Sequence, residues 1–357
     1  MKKLSVTLIA ALLFSSLFIS CEKDDDTTTG KFDNGVIVLN EGAYGNSNAS
    51  VSWVSYKSDS VVNNVFYSVN GRSIGDVLQS AIIYRGKIYM VLNNSHKVEI
   101  ASSSDFVQAG TIEGLNTPRY ATVANNSLYI TQWNSWGQKG AVMVYDLSSL
   151  SKIDSIPVGY GPEQILYSDG KLWVANGGGL SKDSTISVIN PSNNEVEKTI
   201  EVAYSPTRFT VDANNNIWAI CSGLTIYDDN FSVIGHKPSK LAMINPDNEE
   251  VEKTVDLFAE KHPTMIDINP SGNTLYFGGG WAFDGIYTLN ISSTSYQGPI
   301  INGSVYGFNV NPKNGDIYCL EAPTFTAAGI LKVYNSDGGE AVKTVEVGIG
   351  PNGVLFN

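Results

Sequence analysis

An all-β fold built from repeated units follows from three features of this sequence. First, the stretch "GKLWVANGGGLSKDSTISVINPSNNEVEKTIEVAYSPTRFTV", residues 170–211, repeats the four alternating runs of "NSLYITQWNSWGQKGAVMVYDLSSLSKIDSIPVGYGPEQILY" just before it. Second, prolines punctuate the chain: Pro118, Pro162 and Pro206 stand 44 residues apart, Pro263 follows after 57, and Pro351 closes after 88, which is two periods. One intervening unit therefore lacks the proline. Third, 18 Tyr, 13 Phe and 34 Gly with only 16% charged residues suit many strands joined by tight turns, and no long helical periodicity competes. A period of roughly 40–45 residues with four strands per unit is the signature of a β-propeller blade.

The elements follow in order. Lys2 and Lys3 precede the apolar run Leu4 to Ile19, the layout of a secretory signal and too short to span a membrane as a helix. This divides the chain into a leader, 1–20, an acidic tether, 21–34, and a propeller, 35–357. Gly35 to Phe66 supplies three strands, "GVIVLN", "SVSWVSY" and "SVVNNVF", with no inner strand before them. Inner strands then begin at "SAIIY", "RYATV", "EQILY", "RFTVD", "TMIDI", "VYGFNV" and "NGVLFN", which makes seven blades. The last has no partners after it, so the C-terminal strand is expected to complete the N-terminal blade and remove the free sheet edges. Second strands carry Tyr89, Tyr129, Trp173, Trp218, Tyr276 and Tyr318. Mid-strand positions make Trp53, Trp173 and Trp218 blade packing.

Function is sought on one face. Loops between first and second strands, and between third and fourth, are short polar turns. Those between second and third strands are long and carry rings: Tyr44 in "NEGAYGNSNA", Trp133 and Trp136 in "QWNSWGQKG", Trp281 and Phe283 in "GGWAFDG", Phe325 in "EAPTFTAAG". Rings on loops cost solubility unless something covers them, so an aromatic rim over a central funnel is a binding-site candidate. The inter-blade segments reach the same face and add Arg72, Arg119, Tyr160, Tyr204, Arg208 and Asn352. The arginines can donate forked hydrogen bonds to amide, phosphate or sugar oxygens, or they can pair with carboxylates such as Glu163 and tie blades together.

Chemistry leaves fewer traces. His96, His236 and His262 belong to separate blades with no companion ligands nearby in sequence, so no metal is expected. Asp228 and Asp229 form an acidic doublet in the blade-four insertion 222–239, a carboxylate pair or a solvated turn. Cys221 and Cys319 fall on second strands with a blade between them, so two buried thiols are expected rather than a disulfide. No enzyme and no cofactor are expected. Without the leader, 23 − 2 = 21 basic residues face 35 acidic ones, a net charge of −14, which repels nucleic acid and bare anionic lipid.

Resemblances sharpen these expectations. "LFISC" resembles a bacterial lipoprotein cleavage box, which implies that Cys21 is the lipidated first residue of the mature chain, the membrane being reached through that anchor alone. "CEKDDD" is similar to the lipoprotein export signal of Bacteroidetes, implying the extracellular face of the outer membrane, although "KDDDTTTG" also suits a flexible linker. "LWVANGGG…ISVINPSNNEVEKTIEVAYSP" and "LKVYNSDGGEAVKTVEVGIGPNG" resemble the YVTN type of propeller repeat. A surface lipoprotein of this build, acidic, with a Trp-rich and arginine-dotted top face, is similar to the BtuG family. That likeness implies capture of cobalamin (vitamin B12 or a related corrinoid) as ligand and transfer to a TonB-dependent outer-membrane transporter. No contact residue can be carried over from that family one by one. The alternatives are a glycan-binding accessory lipoprotein of a polysaccharide-uptake system, with Trp133, Trp136 and Trp281 stacking on sugars, and a scaffold whose top face docks a protein.

Overall fold

The computed structural model describes residues 30–356. The expected leader 1–20, the expected lipidation site Cys21 and most of the expected tether lie outside the described residues. Seven four-stranded antiparallel sheets form the ring. Their inner strands are Leu78–Tyr84, Pro118–Ala124, Pro162–Ser168, Pro206–Val211, Met265–Ile268, Gly307–Val310 and Pro351–Phe356, defining blades one to seven. Blade seven closes the circle: Pro351–Phe356 pairs with Gly35–Asn40, with Ile37 opposite Leu355 and Val38 opposite Val354. The closing strand supplies the inner position that the N-terminal segment lacks.

Apolar side chains fill the spaces between neighbouring blades, and the second strands contribute more of them than any other strand of the blade. Tyr89, Tyr129, Trp173, Trp218, Tyr276 and Tyr318 are all buried, Trp173 and Trp218 completely. Trp53 is partly buried and donates its indole N–H to the carbonyl of Phe32 at 2.9 Å. Cys221 and Cys319 are free and buried, and burial pushes the Cys221 thiol up to about 12.

Two departures from the repeat matter later. The expected third strand "SVVNNVF" is only Val61–Val62, after which the chain enters a six-residue helix, Val65–Asn70. Asn64 stands at φ 55°, which ends the strand and turns Val65 and Phe66 into the core. The blade-four insertion folds as its own two-stranded hairpin, Leu224–Tyr227 with Val233–Lys237.

The chain enters the ring at blade one's third-to-fourth-strand turn, where the Phe32 N–H donates to the Ser104 carbonyl at 3.1 Å. That turn lies on the face opposite the starts of the inner strands.

Candidate functional site

Proline fixes the geometry of the funnel. It lacks an N–H and therefore opens a strand rather than continuing one, and Pro118, Pro162, Pro206 and Pro351 are each the first residue of an inner strand. The residue after each proline points into the channel mouth. Arg119, Glu163, Thr207 and Asn352 follow their strand-opening prolines, Thr264 follows Pro263, and Gln79 and Tyr306 hold the equivalent place in blades one and six. All seven line one cavity of about 250 Å³. Pairing shifts register beside this position in blades one to four, a bulge that lets two successive residues face inward. Tyr120 and Arg208 join the lining in this way, and Met265 joins it from blade five, where the pairing keeps its register.

The two arginines are used differently. Arg119 donates through Nε and Nη2 to Glu163 Oε2 at 3.1 and 2.9 Å, donates to Gln79, and lies 4.4 Å from the centroid of the Trp133 ring. Burial holds the Glu163 carboxyl above the usual carboxylate range, with Arg119 opposing that shift. Arg208 donates from Nη2 to the Tyr120 hydroxyl at 3.2 Å, and its guanidinium lies 5.3 Å from the Tyr120 ring. It forms no ion pair among the described residues, so most of its fork faces the cavity unspent.

A second acid, Glu41, enters from the end of blade seven's second strand. It accepts from Asn352 Nδ2 at 2.8 Å and from the Tyr306 hydroxyl at 3.1 Å. Burial raises its carboxyl, and these hydrogen bonds offset part of the rise. Burial and the neighbouring Glu41 charge likewise push the Tyr306 phenol up. Asn352 Nδ2 also donates to the carbonyls of Leu78 and Gln79 at 3.1 Å, while its Oδ1 has no partner. Gln79, Tyr120, Arg208 and Asn352 border both this cavity and a second one of about 290 Å³ below it. The Tyr120–Arg208 bridge and Asn352 thus floor the funnel and limit its depth.

The expected rim residues divide into groups. Trp281 and Phe325 stack with centroids 5.5 Å apart at 26°, and Phe325 meets Tyr306 edge-on at 5.2 Å, forming one aromatic wall above the floor. Trp281, Trp136 and Tyr44 are 76%, 77% and 76% exposed. Trp133 sits behind Arg119 instead of on the open rim, packed against Gly179, where a Cβ would come within 3.0 Å of the indole. Phe283 is corrected: it is 2% exposed and packs edge-on to Phe258 at 5.4 Å, beneath the loop. Arg72 lies outside the funnel, paired with Glu99 at 2.7 Å and placed over Phe66. Tyr160 and Tyr204 line a separate outer cavity with Lys139 and Lys182.

Glu41, Gln79, Tyr120, Thr207, Thr264 and Tyr306 were not singled out by the sequence, although the position after the period-marking proline was a usable signal for Thr207 and Thr264. The histidines also differ from expectation. His236 Nδ1 and His262 Nε2 meet at 3.0 Å, and His262 Nδ1 lies 2.6 Å from the Ser222 carbonyl oxygen. The blade-four hairpin folds back to join two residues that are 26 apart in sequence. Among the described residues, no three His, Cys, Asp or Glu side chains gather as metal ligands would.

Fold and funnel define a seven-bladed β-propeller whose inner-strand starts build a polar, arginine-containing pocket under an aromatic wall. The chain belongs to the family described as Domain of unknown function (DUF5074), whose model matches residues 34–356. No curated protein matches it. Among solved structures it is similar to a quinonprotein alcohol dehydrogenase-like protein of Bacteroides thetaiotaomicron, at 15% identity over 91% of this chain and 78% of that one, with TM-score 0.67. It is also similar to the periplasmic gluconolactonase of Pseudomonas aeruginosa, at 13% identity over 90% and 98%, with TM-score 0.64. A third likeness, to hydrazine synthase of Kuenenia stuttgartiensis, has 16% identity over 74% and 85%, with TM-score 0.61. At these identities the likeness is one of fold.

Proposed function

We propose that the top face binds a corrinoid without turnover and that the protein, a lipid-anchored surface lipoprotein, passes it to a TonB-dependent outer-membrane transporter. The observation that carries this reading is Arg208: a half-buried guanidinium at the funnel floor, held by Tyr120 and in no ion pair among the described residues, with the Glu41, Glu163 and Asp267 carboxylates near enough to feel its charge. A cobalamin nucleotide loop offers a phosphate to such a fork. A cavity of about 250 Å³ admits only part of so large a ligand. The corrin ring would rest above it against Trp281 and Phe325, with Gln79, Thr207 and Thr264 facing its peripheral amides. Binding rather than hydrolysis is supported by the engagement of both funnel acids, Glu163 by Arg119 and Glu41 by Asn352 and Tyr306.

The test mixes the chain from Gly30 onward with cyanocobalamin and follows the red absorbance on a sizing column. Co-elution that Arg208→Ala weakens about 10- to 100-fold, the worth of a hydrogen bond to a charged group, is the expected result. A colourless protein peak overturns the corrinoid reading. The second reading, glycan binding, is favoured by the exposed Trp281–Phe325 stack, and a glycan array that responds to Trp281→Ala but not to Arg208→Ala would select it.

A further inference from the structure

Blade seven breaks the repeat where its outermost strand stops at Val62 and the chain turns into the helix Val65–Asn70. A cavity of about 310 Å³ opens between this helix and the segment 47–51. None of its lining residues lines the funnel. Its volume falls at the lower end of the roughly 300–1,000 Å³ found for small-molecule sites.

The lining has a consistent chemistry. Ala49, Val51, Phe66 and Ile74 are buried apolar side chains that form the floor. Ser47, Asn48 and Asn64 stand exposed at the rim, and Tyr67, 60% exposed, offers an aromatic face. The rim polar groups are largely unspent. Asn48 uses its Oδ1 to accept from the Ala43 N–H at 2.8 Å, leaving its amide donors free. Asn64 makes no side-chain cap bond, and neither its amide nor the Ser47 and Tyr67 hydroxyls have a partner among the described residues. No acidic or basic side chain lines the cavity.

A charged ligand would find no free counter-charge here, since Arg72 over the Phe66 ring is already paired with Glu99, and a purely apolar one would leave the rim groups unused. A pyranose ring presents an apolar C–H face to an aromatic side chain and equatorial hydroxyls around its edge, which matches this floor and rim. We propose that this cavity between the blade-seven helix and segment 47–51 is a second binding site, for a single neutral sugar unit. It is independent of the corrinoid reading, and either can fail alone.

Saturation-transfer NMR on the chain from Gly30 onward, with the methyl glycosides of glucose, galactose, mannose and N-acetylglucosamine as probes, tests it. At least one glycoside is expected to receive saturation with a Kd of about 1 mM. Tyr67→Ala and Asn64→Ala, both at exposed positions, are each expected to weaken binding by about fivefold or more, while Trp281→Ala on the funnel rim leaves it unchanged. Silence from all four probes at about 10 mM overturns the proposal. So does binding that Trp281→Ala abolishes and Tyr67→Ala spares, because the sugar would then sit on the rim. Tyr67-dependent binding of indole with no response to any glycoside would overturn the assigned ligand class.

Discussion

Replacing Arg119 by methionine keeps most of the side chain's length and removes its charge, leaving Glu163 in place beneath the funnel. The two side chains are 16% and 11% exposed, and Arg119 Nη2 lies 2.9 Å from Glu163 Oε2. Charge centres about 4 Å apart at an effective dielectric of about 20 attract by about 4 kcal/mol. Breaking a buried pair from one side costs about 3–5 kcal/mol, because the remaining charge is stranded. We expect Arg119→Met to lose about 3 kcal/mol of unfolding free energy at about pH 7.5, read by urea titration of tryptophan fluorescence. The pH dependence has a definite sign. Burial already raises the Glu163 carboxyl, and Arg119 is the main group opposing that rise. Without it the folded-state pKa climbs further. A raised folded-state pKa contributes stability at low pH that is lost as pH rises through that value. The deficit of the variant is therefore largest at high pH and shrinks as the pH falls and Glu163 takes up a proton in the folded chain. Arg119→Met combined with Glu163→Gln should recover most of the loss, ending within about 1 kcal/mol of the parent. A single variant that loses less than about 1 kcal/mol, or a double variant no better than the single, would refute the view that Arg119 exists to neutralise a buried acid.

Three further outcomes follow from the packing. Phe283→Ala should lower stability by about 3–5 kcal/mol while leaving ligand binding by the surviving folded fraction unchanged; a binding defect with normal stability would return Phe283 to the rim. Cys221 and Cys319 should resist a thiol reagent in the native chain at mildly alkaline pH and both react once guanidinium unfolds it, since burial raises both thiols; fast labelling of the native chain would contradict their placement. Ending the chain before Pro351 removes the inner strand of blade seven and should abolish cooperative thermal unfolding by calorimetry, whereas a sharp transition in the truncated chain would show that the closing pair is dispensable.

The ring itself was readable because each blade repeats a local pattern that one turn and one proline can mark. Arg119, Arg208 and Asn352 were legible for the same reason, since they stand one or two residues after those prolines. Glu41 was not: it faces the funnel only because the N-terminal strand pairs with a strand more than 300 residues later, a contact that no short window of sequence contains. The helix Val65–Asn70 was hidden by its length, as six residues give too few turns for periodicity to emerge, and its start was absorbed into the expected strand "SVVNNVF". Phe283 misled because a ring in a glycine-rich loop looks exposed, whereas Phe258, Tyr287 and Tyr296 supply a cluster that takes it in. His236 and His262 meet because an insertion doubles back, which composition does not encode.

The entry of the chain at Ser104 carries a consequence for orientation. On the proposed anchoring at Cys21, the pull would arrive on the underside of blade one, opposite the funnel mouth. The funnel then opens toward the medium, and a molecule arriving from outside meets Trp281 and Arg208 before it meets the membrane. A partner in the same membrane has to reach around the rim of the ring or tip the ring over to take what the funnel holds.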